Sequence, residues 1–329
     1  MKKTLFLIIT ITVLFFLNLL LGSVHIDFNN VLAVLMGDSK DQIITFIVMQ
    51  SRLPQALTAL LVGASLSLAG LLLQTAFHNP LAGPSVLGIS GGASLGVAIV
   101  TLGASFIDLP FLGSPFSIIT AALIGSMLVT MLLLFLNSLL RNNLVLLITG
   151  LLIGYLISSL STILNVFASP ESLRGYVLWG MGDFSSVSLD ILPALASPLI
   201  ILILLGVLMI KPLNAIMLGD QYAENLGINI KATRNILLFI VGGITALTTA
   251  YCGPIAFIGL SVPHIARMIV RTDNFISLMP MTIFTGAAVA LVCNLASTMP
   301  DNTVLPINAV TPLIGVPVIL YVVIQSRKL

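Results

Sequence analysis

Charge is what this chain has least of. Of 329 residues, 13 are Lys or Arg and 11 are Asp or Glu, 7% in all with a net of +2, where an ordinary soluble domain has roughly 25%. That excludes a soluble enzyme. Disorder is excluded too, because it requires low hydrophobicity and high net charge. The balance leaves no basic surface for nucleic acid and no acidic tail. Cysteine is nearly absent: Cys252 and Cys293 lie in or beside apolar runs and give neither a disulfide framework nor metal-ligand spacing. The three histidines, His25, His78 and His264, form no cluster in the sequence. No Gly-Lys dipeptide occurs, so no Walker A loop is present to cradle nucleotide phosphates.

What the chain has is hydrophobic length, with 58% of its residues apolar. A hydrocarbon core of about 30 Å needs about 20 apolar residues in a helix. That yardstick predicts an all-α polytopic membrane protein of about ten spans, at 4–21, 54–75, 87–102, 116–139, 144–167, 191–210, 236–250, 255–270, 281–297 and 306–324. The eighth is short, and Gly259 and Pro263 are expected to break it, as irregular backbone tolerated only where protein or a cavity satisfies it. The longest polar connections, 24–51, 168–190 and 211–235, are too short for a core of their own. Residues 1–329 therefore read as one membrane domain.

Orientation follows from Lys and Arg. With the N-terminus inside, the cytosolic set is Lys2, Lys3, Arg141, Lys211, Lys231, Arg234, Arg267, Arg271, Arg327 and Lys328, leaving only Lys40, Arg52 and Arg174 outside. Both termini are then cytosolic. The acids Asp27, Asp38, Asp41, Asp108, Glu171, Asp183, Asp190 and Asp301 fall mostly outside, which does not oppose the assignment. The first segment also resembles a secretory signal peptide ending near Gly22-Ser23, but its apolar run exceeds the usual 7–15 residues. A faint echo between Gly63-Ala64-Ser65 and Gly242-Gly243-Ile244, in opposite orientation, hints at an inverted repeat.

Inside the apolar runs the polar residues are Ser, Thr, Asn, Gln and Gly. Asp, Glu and His are missing from mid-membrane, where proton relays place them, which argues against an ion-coupled secondary transporter. The stretch Gly88-Ile89-Ser90-Gly91-Gly92-Ala93 has two readings: close helix packing by small residues, or a rhomboid-like serine protease with Ser90 as nucleophile and His264 as base. Trp179, the single tryptophan, is either an interfacial anchor or a gate. In 213–230, Leu218, Tyr222 and Leu226 recur on one helical face while Asp220 and Glu224 share another, with Gly219 and Gly227 as punctuation. That pattern suits a short amphipathic docking helix better than a solvated connector.

Taken in order, these residues resemble the FecCD permease family of bacterial ABC importers for iron-siderophores, haem and cobalamin. The likeness is carried first by Arg52-Leu53-Pro54, Gly63, Leu68-Ala69-Gly70, Gln74, Asn79-Pro80-Leu81-Ala82, Pro84 and the Gly88–Ala93 stretch. Trp179-Gly180, Leu218-Gly219, Ala223 and Leu226-Gly227 continue it. Gly253-Pro254-Ile255, Phe257-Ile258-Gly259-Leu260, Pro263-His264-Ile265, Arg267, Gly286-Ala287 and Gly315-Val316-Pro317 complete it.

The resemblance implies a type II-like importer permease in the bacterial inner membrane. It implies a homodimer around a central path, two cytosolic ABC ATPase subunits, an extracytoplasmic substrate-binding protein and a metal-chelate substrate, an iron-siderophore first and cobalamin or haem next. ATP and Mg belong to the ATPase subunits, and this chain binds no cofactor or metal. Residues 213–230 correspond to the coupling helices, with Leu218, Gly219, Ala223, Leu226 and Gly227 at the ATPase and the small residues permitting close approach. Gln74, Asn79, Pro80, Ser158, Ser159, Thr162, Asn165 and Trp179 are expected along the path or its gates, and Arg52 and Arg174 at the binding protein. Three departures stand out. Gln55 replaces a second Arg; Asn294, Ser297-Thr298 and Val304-Leu305-Pro306 replace an Asp, an Arg and a Glu-x-Pro; Asn308 replaces a Gly.

Overall fold

A computed structural model describes residues 2–22, 24–39, 41–103, 114–140, 143–299 and 304–326, and among these it is helical without strands. Helix α1 (Lys2–Leu20) leads through α2 (Phe28–Met36), α3 (Gln42–Phe46) and a π-helical turn, Ile47–Arg52, into α4 (Leu53–Ala76). A 3-10 turn, Pro84–Leu87, precedes α5 (Ile89–Gly103), and α6 (Pro115–Leu139), α7 (Asn143–Phe167) and the short α8 (Pro170–Gly180) follow. α9 (Leu192–Leu208) bends by 49° into α10 (Ile210–Met217). The chain ends with α11 (Asp220–Asn225), α12 (Ile230–Cys252), α13 (Ile258–Val270), α14 (Phe275–Thr298) and α15 (Ile307–Ser326).

All ten predicted spans lie on helices. Six stretches are long and apolar enough to cross a membrane unaided, the bent pair α9–α10 makes a seventh, and α5, α13 and Ile307–Val322 of α15 are shorter apolar helices. Successive spans alternate in direction. Lys2, Lys3, Lys211, Lys231, Arg234, Arg267 and Arg271 consequently gather at one end of the bundle, here the basic end, and Arg52 and Arg174 at the other. Lys40, Asp108, Arg141, Asp301, Arg327 and Lys328 lie outside the described residues.

The continuous rod Gln42–Ala76 is the axis of the fold: 83% of its most apolar stretch is buried, against 22% for the equally hydropathic Leu144–Phe167. Chain packed against chain in a bilayer gains little hydrophobic energy, so close contact at small residues must do the holding. The structure has it repeatedly. A Cβ on Gly70 would overlap the carbonyl of Gly259, one on Gly63 the backbone of Gly286, one on Gly96 the carbonyl of Ala121 and one on Gly125 the carbonyl of Gly92. Gly88 lies against Gly150 and Gly154 of α7, where a Cβ would meet their backbones at 2.9 and 3.1 Å. The glycines of the Gly88–Ala93 stretch are thus packing residues.

The eighth span departs from expectation. α13 runs unbroken through Gly259 and Pro263, and the break precedes it, at 253–257. Proline at position 263 cannot donate to the carbonyl four residues back. That carbonyl belongs to Gly259, and it is the atom facing Gly70, so the missing hydrogen bond frees an oxygen at the tightest helix contact. Gly253, at φ 72°, turns the chain from α12 into the break, and Phe257 holds a left-handed φ of 67°.

α1 is bound into the bundle. Leu19 and Asn18 are buried, and the guanidinium of Arg52 donates to the carbonyls of Leu19 (2.7 Å), Leu20 (2.8 Å) and Val24, a cation closing a helix C-terminus. This is a span held by its neighbours.

Gly70→Val should destabilise the fold by about 3 kcal/mol or more, because backbone cannot yield as a side chain does. Gly103→Ala, with nothing within 4 Å of its would-be Cβ, should be neutral. Thermal unfolding in detergent tests both, and equal melting temperatures would contradict the close-contact account.

Candidate functional site

Three regions bring the predicted site residues together. The first is the connector at the basic end. α10 and α11 enclose a small apolar cluster of Ala215, Ile216, Ala223 and Ile230. Leu218, Tyr222 and Leu226 point away from it, 68%, 50% and 59% exposed. An apolar stripe left uncovered on a connector is the surface a partner helix or groove would use. Ala223 is corrected here: it is fully buried inside the cluster, so it holds the connector together and offers nothing to a docking surface. Gly219 and Gly227 have φ 113° and 82° with open space around them. The left-handed backbone of the two turns is reason enough for these glycines, and the space beside them is open. Asp220 is tied by a 2.5 Å ion pair to Arg234 of α12, which fixes α11 to the bundle, while Glu224 remains exposed.

The second region is the loop between α4 and α5 at the same end. Arg267 Nη1 donates to Gln74 Oε1 at 2.7 Å, and Gln74 Nε2 donates to the carbonyl of Leu260 at 3.1 Å. Arg267 also faces Asp273 at 3.5 Å. His264 Nε2 donates to the carbonyl of Pro80 at 2.8 Å, and His78 Nε2 to the carbonyl of Ile216 at 3.1 Å. A carbonyl only accepts, so each Nε2 carries its hydrogen. Asn79 is half-exposed, its Oδ1 accepting from Leu81 N at 2.9 Å. An open-sided cavity of about 590 Å³ adjoins the loop, lined by His78, Pro80, Met217, His264, Arg267 and Ile319 among others. His264 is therefore bound to the loop backbone, and Ser90, at the start of α5, accepts at its own carbonyl from the Ser94 hydroxyl at 3.1 Å. The Ser90–His264 pair of a serine protease does not form.

The third region faces outward from α7 and the opposite end. Ser158, Ser159 and Thr162 are exposed, and Thr162 bonds back to the carbonyl of Ser158 at 2.9 Å. Ser161 is buried, and Asn165 is half-buried with a partnerless Oδ1. α8 is capped by Ser169, whose Oγ accepts from Ser172 N at 3.3 Å. Arg174 on it is exposed. Tyr176, also on α8, hydrogen-bonds Ser161, and burial pushes its phenol above the ordinary value against the opposing pull of that bond. Trp179 is half-buried against Tyr251 and Ala250. Arg52 does not join Arg174: it is only 7% exposed and occupied by the carbonyls of α1 and Val24.

This arrangement matches known proteins along its length. Residues 9–325 match the FecCD transport family. The chain belongs to that family. The hemin transport system permease protein of Yersinia pestis is 31% identical over 98% of this chain and 95% of its own. A vitamin B12 import system permease protein of Salmonella arizonae is 34% identical over 85% and 84%. A solved inward-facing structure of a transporter assigned to the metal-chelate ABC type superposes with a TM-score of 0.87 at 27% identity, covering 98% of this chain and 99% of that one. The chain is an ABC transporter permease.

For this FecCD permease the unusual positions become intelligible. Gln55 and Asn294, read in the sequence as separate departures, are bonded to each other: Gln55 Nε2 donates to Asn294 Oδ1 at 3.0 Å, and Asn294 Nδ2 donates to Asn18 Oδ1 at 2.8 Å. An amide ladder joins α4, α14 and α1 in the interior. Asn308 is a knot. Its Nδ2 donates to the carbonyls of Gly180 (3.2 Å) and Pro254 (2.5 Å), and its Oδ1 accepts from Ala256 N at 3.2 Å. It satisfies the irregular 253–257 backbone, which is enclosed by protein and must find its partners there.

The ladder predicts a compensation. Gln55→Arg or Asn294→Asp alone buries an unpaired charge and should cost about 3–5 kcal/mol. The double variant should recover most of that loss. A double-mutant cycle on melting temperature measures the coupling; additive losses would show that the two positions do not act as a pair.

Proposed function

We propose that this permease is the membrane-spanning subunit of an ATP-driven importer for a bulky metal chelate. It works as a homodimer, with two ABC ATPase subunits on its basic end and a substrate-binding protein on the opposite end. The exposed stripe Leu218, Tyr222 and Leu226 carries the reading, because it sits on a connector that the bundle itself does not cover. The excess of Lys and Arg at that end argues that it faces the cytosol of a bacterial inner membrane, with both termini there. The chain has no Walker A loop, so ATP and Mg belong to the ATPase partners and no cofactor is needed here.

Paired copies would enclose the path between exposed faces of α7, where Ser158, Ser159 and Thr162 supply hydroxyls, with Asn165 set behind them and its side-chain oxygen buried. Gln74, Asn79 and Pro80 stand at its basic-end gate and Trp179 at the opposite one. Arg174 is the candidate contact for the binding protein, since Arg52 is occupied. Alternating access then needs no covalent chemistry in this chain.

The sequence alone favoured an iron-siderophore as cargo. The named cargoes of the relatives, hemin and vitamin B12, are both metal tetrapyrroles, and they move that class ahead of siderophores. Among the described residues no Asp or Glu is buried, which disfavours the ion-coupled alternative.

Leu218→Asp with Tyr222→Asp should abolish copurification of an ABC ATPase and ATP-dependent uptake, while the protein stays inserted. Uptake of cobalamin, hemin and a ferric siderophore into proteoliposomes of the reconstituted complex ranks the cargo. Uptake driven by a proton gradient without ATP would sink the proposal.

A further inference from the structure

The loop between α4 and α5 hangs from two imidazoles fixed to different parts of the molecule. On one side His264 of α13 holds the carbonyl of Pro80 at 2.8 Å. α13 is anchored, because Gly259 lies against Gly70 in the tightest contact with the central helix. On the other side His78 reaches the carbonyl of Ile216, one residue from the C-terminal end of α10. α10 is set off from α9 by a 49° break at Met209. One post is fixed and the other is hinged.

His78 itself is held in an unfavourable backbone. Its φ is 47°, in the left-handed region that glycine, asparagine and aspartate occupy far more readily than histidine. A plain turn at this point would be easier to make with glycine. Adjoining the loop lies the open-sided cavity of about 590 Å³, lined by His78, Pro80, Met217 and His264 among others, so the loop has space to shift where a packed interior would resist.

We propose that His78 is a positioning residue that links the connector to the gate loop: its Nε2–H grips the carbonyl of Ile216, so that displacement of α10–α11 is delivered to Asn79-Pro80-Leu81. The inference rests on the coupling role assigned to the connector under the proposed function. His264 supplies the fixed end against which the loop pivots.

The reconstituted complex carries the test. A spin label at Leu81→Cys reports on the loop and one at Asn225→Cys on the connector; both positions are exposed, and the native Cys252 and Cys293 are buried. ATP with vanadate should shift both labels in the parent. His78→Gly removes the imidazole and suits the left-handed backbone, so it should fold and keep the connector response. Its loop response should fall about three- to tenfold, the net worth of one hydrogen bond. His78→Gln, which restores an amide donor of similar reach, should recover it. An undiminished loop response in His78→Gly would overturn the link, as would a loss that His78→Gln fails to restore. A parent connector that ignores ATP would instead refute the coupling role, and the link with it.

Discussion

Backbone touching backbone is the constraint from which the rest of this structure follows. In a bilayer the lipid is as apolar as the helices, so burial alone does not choose helix partners. Here the choice is made where side chains are absent: Gly70 on Gly259, Gly63 on Gly286, Gly92 on Gly125 and Gly88 on Gly150 and Gly154. These contacts place α4 at the centre, seat α13 and α14 against it, and stack α5 between α6 and α7. The short helix α13 is possible because the irregular segment before it, 253–257, is enclosed by protein.

The scarce polar groups are distributed by the same logic. In the interior they are amides and hydroxyls, many of them satisfied by one another or by helix carbonyls, as in the Gln55–Asn294–Asn18 ladder and in Ser67, which bonds the carbonyl of Thr282 at 3.0 Å. Arg52 is the buried charge among the described residues, and it closes the end of α1. Charge elsewhere sits at the two ends. At the basic end it ties elements together: Asp220 on α11 to Arg234 on α12, and Arg267 on α13 to Gln74 on α4. The loop between α4 and α5 is joined to the same end of the bundle by His78 and His264.

Much of this was legible in the sequence. Helical class, the many apolar segments, the basic asymmetry and the apolar stripe at Leu218, Tyr222 and Leu226 each depend on local composition or on a single helical period, which a sequence displays. The inaccurate expectations share a cause. Ala223 reads as a surface residue until α10 folds over it, and Arg52 reads as an outer cation until α1 returns its carbonyls to it. Gly259 reads as a helix breaker until Gly70 arrives opposite. Each depends on what lies across a gap from a distant segment. His78 gave no signal at all, because a histidine in a loop is ordinary until its carbonyl partner is known, and Asn308 stood out only as a departure whose role its carbonyl partners explain.

The sequence by itself determined that this chain is a multi-pass membrane protein with its basic residues biased toward one end, since apolar length and charge position are properties of the chain alone. Only the tertiary structure decided which spans are central. Gln42–Ala76 and Leu144–Phe167 are equally hydropathic, yet one is buried and the other largely exposed. Lipid and protein interior are alike in polarity, so hydropathy cannot distinguish them. The distinction comes from glycines meeting glycines, and that requires both helices in place.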